Sequence, residues 1–127
     1  QKPFSVIAPS KEWILENCVV GEADLTRLPG PYTLILKLKQ KCVAENVNLG
    51  LDTLGVRIPD NWFSQLIKET GIPIVTTSVN LTGQKFMTSL DSLDPKIKDA
   101  VDFIVYEGPL RGSPSEIINL TTGEISR

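Results

Sequence analysis

The 127 residues suffice for one domain with a single core, and 41% hydrophobic with 22% charged residues is the make-up of an ordinary globular protein. A net charge of −2 and a pI near 5.1 exclude a broad basic surface for non-specific nucleic-acid binding. The chain has no histidine, which removes the usual zinc sites and every Cys–His or Ser–His catalytic pair.

From the amino end, Phe4 to Ala8 reads as a strand, and Ser10 is placed to cap a helix through Asn17 with Trp13 and Ile14 inward. Gly21 to Leu28 reads as a further helical turn, ended by Pro29-Gly30-Pro31. Tyr32 to Lys39 alternates apolar and charged residues in its second half, the pattern of a strand with one wet face. Its apolar run, Tyr32 to Leu38, is broken by Lys37 and is far too short to span a bilayer, so no membrane contact is expected. Residues 40–50 are polar and Asn-rich, a loop or a weak strand pair. Leu54 to Ile58 reads as a strand carrying Arg57 and stopped by Pro59.

Asp60 is placed to cap a helix reaching Thr70, with Trp62, Phe63, Leu66 and Ile67 as a core stripe at helical spacing. Gly71 suits its C-terminal cap, and Ile72 to Val75 reads as a buried strand. Further on, Leu93 to Val101 reads as a helix with Pro95 in its first turn, and Phe103 to Tyr106 as a strand. Gly108 to Pro114 is a loop, Ser115 to Leu120 a strand, and Thr122-Gly123 a turn into Glu124 to Arg127. The expected fold class is α/β, one domain over residues 1–127. Cys18 and Cys42 lack metal-binding spacing and read as reduced thiols of a cytoplasmic protein, with one disulfide as the alternative. No secretory signal is visible.

The most informative stretch is Thr76-Thr77-Ser78-Val79-Asn80-Leu81-Thr82-Gly83. Hydroxyls and a carboxamide leave the end of a strand there, where ligands of open α/β sheets bind. Two readings are open: neutral donors for phosphate oxygens or a small polar substrate, or a turn whose Ser and Asn satisfy local backbone groups.

Read together with Lys2-Pro3, Leu28-Pro29-Gly30-Pro31-Tyr32-Thr33, Thr53-Leu54-Gly55-Val56-Arg57-Ile58-Pro59 and Pro114-Ser115-Glu116-Ile117-Ile118-Asn119-Leu120, this stretch resembles the YrdC-like family, whose best-known members are threonylcarbamoyl-AMP synthases of the TsaC type. The stretches occur in the family's order and extend over the whole chain. The resemblance implies a twisted open mixed sheet with flanking helices. It also implies a nucleotidyltransferase that makes threonylcarbamoyl-adenylate from L-threonine, bicarbonate and ATP with Mg²⁺. The product would feed a separate threonylcarbamoyl transferase acting on adenosine 37 of tRNA. By the same resemblance, Ser78 and Asn80 are the catalytic pair at the phosphate end, joined there by Lys2, Thr76 and Arg127, while Arg57 and Ser115 lie on the threonine side; no resident protein-bound metal is implied. The family's amino-terminal segment has no counterpart here, and a chain beginning at Gln1 is expected to be inactive alone and to expose a sheet edge. Glu116 and Asn119 depart from the family's Thr and Asp, and Asn61 stands where a His is frequent.

Two other readings compete. One is the related carbamoyl-transfer domain of a hydrogenase-maturation protein. The other is a double-stranded RNA-binding module on the same fold, for which Lys37, Lys39 and Lys41 would be the basic patch and tRNA or RNA the partner.

Overall fold

A computed structural model describes residues 2–110 and 112–126. They fall into two compact units, Gln1–Thr77 with Ser115–Arg127, and Ser78–Pro114.

The first unit is built on a mixed sheet. Its strands are β1 (Ser5–Ile7), β2 (Cys18–Val19), β3 (Tyr32–Leu38), β4 (Thr53–Arg57), β5 (Ile74–Thr76), β6 (Glu116–Asn119) and β7 (Glu124–Ser126). They run in the order β5-β1-β4-β3-β6-β7, with β2 also paired to β3. The β1–β4 and β3–β6 pairs are parallel and the other pairs antiparallel. An open mixed sheet with flanking helices is therefore the observed architecture.

Register divides the sheet into two faces, because directly opposed residues point the same way and successive ones alternate. Val6, Val56, Leu34 and Ile118 stand in one row, and Leu36 and Leu54 in the next. All six are at most 3% exposed and form one core with Ile14, Cys18, Leu25 and Leu28. Burial of each such aliphatic side chain contributes about 1.5–3 kcal/mol. This core fades at both sheet edges: Val75, opposite Val6, is 46% exposed, and Ile125, opposite Ile118, is 61% exposed. The expected buried strand at Ile72 to Val75 is thus an exposed edge strand, since β5 has a strand neighbour on one side only.

Helix α1 (Lys11–Asn17) begins where expected: Ser10 Oγ accepts from the Trp13 N–H at 3.0 Å, and Ile14 is fully buried. A short turn, α2 (Glu22–Leu25), adds Leu25 to the core. The Asn-rich connection between β3 and β4 forms neither a plain loop nor a strand pair but a single helical turn, α3 (Glu45–Asn48). The reason lies in Asn48, which is buried and donates through Nδ2 to the carbonyls of Leu51 and Thr53 at 2.9 and 3.0 Å. Its amide fastens the turn to the start of β4.

Helix α4 (Trp62–Thr70) is capped by Asn61 rather than Asp60: Asn61 Oδ1 accepts from the N–H groups of Phe63 and Ser64 at 3.1 and 3.4 Å. Gly71 ends it with φ of +67°, a left-handed cap that suits glycine. Its apolar stripe is not core as a whole. Ile67 is 3% exposed, but Trp62, Phe63 and Leu66 are 37–49% exposed, so only one residue of the four is inside.

The second unit holds a 3₁₀ turn at Leu90–Ser92 and helix α5 (Pro95–Ala100), whose cap Asp94 accepts from the Lys96 N–H at 2.8 Å. The expected strand at Phe103 to Tyr106 is absent. Those residues are irregular, with Phe103 and Val105 79% and 64% exposed, and no described strand pairs with them. An apolar run becomes a strand only where a neighbour supplies the ladder.

Candidate functional site

The second face of the sheet is more polar. One row across it holds Ile74, Ile7 and Arg57, continued on β3 and β6 by Thr33 and Ile117; the next holds Thr76, Ser5, Gly55, Ile35 and Asn119. Apart from the buried Ile7 and Thr33, these side chains are half-buried or exposed. Gly55 lies between Ser5 and Thr33: a β-carbon added there would stand 3.2 Å from Ser5 Cβ and 3.4 Å from Thr33 Cγ2. The Oγ of Ser5 and Oγ1 of Thr76 are 3.4 Å apart, at the long limit of a hydrogen bond.

Arg57 is the unusual member. Its Nε is buried and has no hydrogen-bond partner among the described residues. Burial lowers the guanidinium pKa from its ordinary value, the direction expected when a cation loses water without gaining an anion. A buried donor left unpaired carries its desolvation cost unpaid by the fold.

The other residues singled out in the sequence are distributed as follows. Lys2 is exposed and precedes β1 at the end of the strands where β5 finishes in Thr76. Ser115 is half-buried and precedes β6 at the opposite end of the strands, where β4 ends in Arg57; the next residue, Glu116, donates its N–H to the Pro31 carbonyl at 3.0 Å. Lys2 and Thr76 thus lie toward one end of the strands, and Arg57 and Ser115 toward the other. Ser78 and Asn80 open the second unit. Ser78 is exposed, and the half-buried Asn80 donates through Nδ2 to the Leu81 carbonyl at 2.9 Å. Arg127 lies outside the described residues. Ser5 and Thr33, which the fold brings to either side of Gly55, were not singled out in the sequence. Their signal was period-two alternation, a polar residue beside Val6 and beside Leu34.

Of the three lysines of the basic patch, Lys39 is engaged, its Nζ donating to the Leu15 carbonyl at 2.7 Å. Lys37 is exposed on the second face, opposite Thr53. Cys18 and Cys42 are free thiols. Burial, followed by proximity to Cys42, pushes the Cys18 pKa up to about 12, with Lys39 opposing. Among the described residues no group of three His, Cys, Asp or Glu side chains could hold a metal ion, and no helix is long and apolar enough to cross a membrane.

The family model for Sua5, YciO and YrdC, described as "Telomere recombination", matches residues 1–127. The chain belongs to the Sua5/YciO/YrdC family. A family relative from Methanocaldococcus jannaschii, provisionally named a threonylcarbamoyl-AMP synthase, is 34% identical over 98% of this chain, which spans 60% of that relative. Among solved structures, P. abyssi Sua5 complexed with L-threonine is similar at a TM-score of 0.73 and 28% identity, over 94% of this chain and 37% of that one. Full-length HypF in a phosphate- and nucleotide-bound form is similar at a TM-score of 0.79 and 26% identity, over 98% of this chain and 20% of that one. The Sua5/YciO/YrdC chain described here is thus shorter than each of these three relatives.

Proposed function

We propose that this chain is the adenylating domain of a threonylcarbamoyl-AMP synthase, acting for tRNA modification. The observation that carries the reading is the family match over residues 1–127 together with likeness to a Sua5 that holds L-threonine. In this reading the threonine amine attacks the carbon of bicarbonate and water leaves. An oxygen of the resulting carbamate then attacks the α-phosphorus of ATP, and pyrophosphate departs. No protein nucleophile is needed, only alignment of the attacking oxygen and neutralisation of phosphate charge. Lys2 and Arg127 would supply cationic charge, and Thr76, Ser78 and Asn80 neutral donors to the phosphates. Arg57 and Ser115 would face the threonine. Mg²⁺ enters as part of the ATP substrate. The product would pass to a separate threonylcarbamoyl transferase, in the cytoplasm.

The likeness to HypF favours a second reading, carbamoyl transfer to a nucleotide within a larger protein. Mass spectrometry separates the two. The chain, and any longer natural form of it, is incubated with ATP, Mg²⁺, bicarbonate and L-threonine, and in parallel with ATP, Mg²⁺ and a carbamoyl donor. Threonylcarbamoyl-AMP in the first mixture, reduced at least about tenfold by Asn80→Ala, is the expected result. Carbamoyl-AMP in the second mixture alone would replace the reading with the second, and no adenylate in either would overturn both.

A further inference from the structure

At β5 the sheet ends with its outer edge open, and the ladder fixes which groups that edge presents. A strand residue sends its N–H and C=O to the same side, and successive residues alternate sides. The Ala8 N–H donates to the Arg57 carbonyl of β4 at 2.9 Å, so Val6 also faces β4, while Ser5 and Ile7 face β5. Their partners Thr76 and Ile74 therefore exchange the bonds of the β1–β5 ladder. Val75 is left with its N–H and carbonyl turned outward, and alternation puts the Pro73 carbonyl and the Thr77 N–H on the same side. Among the described strands β5 pairs with β1 alone.

Folded proteins guard such an edge with charged side chains, bulges or a covering element. β7, at the far end of the sheet, carries Glu124. β5 carries no charge, and none occurs in the sequence from Gly71 to Gln84. Val75 is exposed although it stands in the row of Val6, Val56, Leu34 and Ile118, and Ile72 just ahead of the strand is 61% exposed. A row of core residues thus runs out to this edge and stops uncovered.

We propose that this edge is the interface of a homodimer, in which β5 of a second copy adds antiparallel about a two-fold axis through Val75. In that arrangement the strand is its own complement. Each Val75 N–H donates to the Val75 carbonyl of the other copy, and each Thr77 N–H to the other's Pro73 carbonyl, so the N–H that Pro73 lacks is not called on. The two Val75 side chains stand side by side and carry the core row across the axis, and Ile74 of each copy meets Thr76 of the other on the opposite face. No like charges are brought together, which is what a surface that meets itself requires. A foreign strand would find no charge here to select it, whereas a second copy matches the edge bond for bond. So short an edge makes a weak pair, half formed at about 100 µM. The dimer is independent of the synthase reading.

Sedimentation equilibrium of the chain from about 5 µM to about 1 mM should show monomer passing reversibly to dimer. Val75→Pro removes the outward N–H and no bond of the β1–β5 ladder, so it should stay monomeric over that range with an unchanged circular dichroism spectrum. Val75→Lys, at a residue already exposed, sets like charges across the axis and should do the same; it decides the matter if the proline variant fails to fold. Hydrogen exchange read by NMR should find the Val75 amide protected in the concentrated sample and open in the dilute one, with the Val6 amide equally protected in both. A monomer at every concentration, assembly past the dimer, or a dimer that Val75→Lys leaves intact overturns the proposal. Protection of the Val75 amide at every dilution, in this chain or a longer natural form of it, also overturns it, since a segment of the same chain would then hold the edge.

Discussion

Cys18 occupies the point where α1 gives way to β2, fully buried, its backbone N–H donating to the Ile14 carbonyl of α1 and its position paired with Leu38 of β3. Because the thiolate would be stripped of water there, the folded-state pKa of about 12 lies above the ordinary 9.0 of an unfolded chain. Below the unfolded value both states keep the proton and the thiol places no pH dependence on stability. As pH rises from about 9 toward 12 the unfolded chain releases a proton that the folded chain retains, so stability falls across that window. Urea unfolding at pH 8 and pH 10 should show the lower midpoint at pH 10, with most of the difference gone in Cys18→Ala. At pH 8 iodoacetamide should label Cys42, which is partly exposed, well before Cys18. Equal labelling rates would contradict this burial.

At the scale of elements, the beginning of α4 is decided by one side chain out of two that could have served. Asp60 and Asn61 are both good caps, and only the register of the first turn selects Asn61, whose Oδ1 meets two N–H groups. Asn61→Ala should therefore cost about 1 kcal/mol and Asp60→Ala much less, measured by chemical denaturation. A larger loss for Asp60 would mean that the helix starts one residue earlier. This shows how much of the fold was legible in the chain. Local signals sufficed where they act alone: Ser10 before α1, Gly71 after α4, and alternation in β3. Where a neighbour had to be known they failed. Phe103 to Tyr106 has strand composition and no ladder, and Trp62 and Leu66 have helical spacing but lie outside the core that takes Ile67. The face at Arg57 was half legible for the same reason. Arg57 itself stood out in its strand, but Ser5 and Thr33 come to the same face from β1 and β3, on either side of Gly55, and only pairing reveals that.

For the whole molecule, composition proved a good guide to class and a poor one to surface. The net charge of −2 conceals a guanidinium whose Nε has no partner among the described residues, and the ordinary apolar content conceals Val75, Phe103 and Val105 turned to solvent. The parallel pairing of β3 with β6 has a further consequence. Tyr32 is matched with Glu116, across most of the length of the chain, whereas β3 and β4 are joined by a connection of a few turns. Closing so long a loop costs entropy that the later contacts must offset, so the β3–β4 pair is expected in the folding transition state and the β3–β6 pair after it. Ile118→Val should then leave the refolding rate nearly unchanged and speed unfolding by the whole of its cost, about 0.5–1.5 kcal/mol, whereas Val56→Ala should slow refolding. A stopped-flow chevron for the two variants checks the order; slowed refolding in Ile118→Val would place β6 in the nucleus. With β6 late, β3 waits with its edge bare from Tyr32 to Ile35 until Glu116–Asn119 arrive, and that interval is when this protein is most exposed to pairing with the wrong strand.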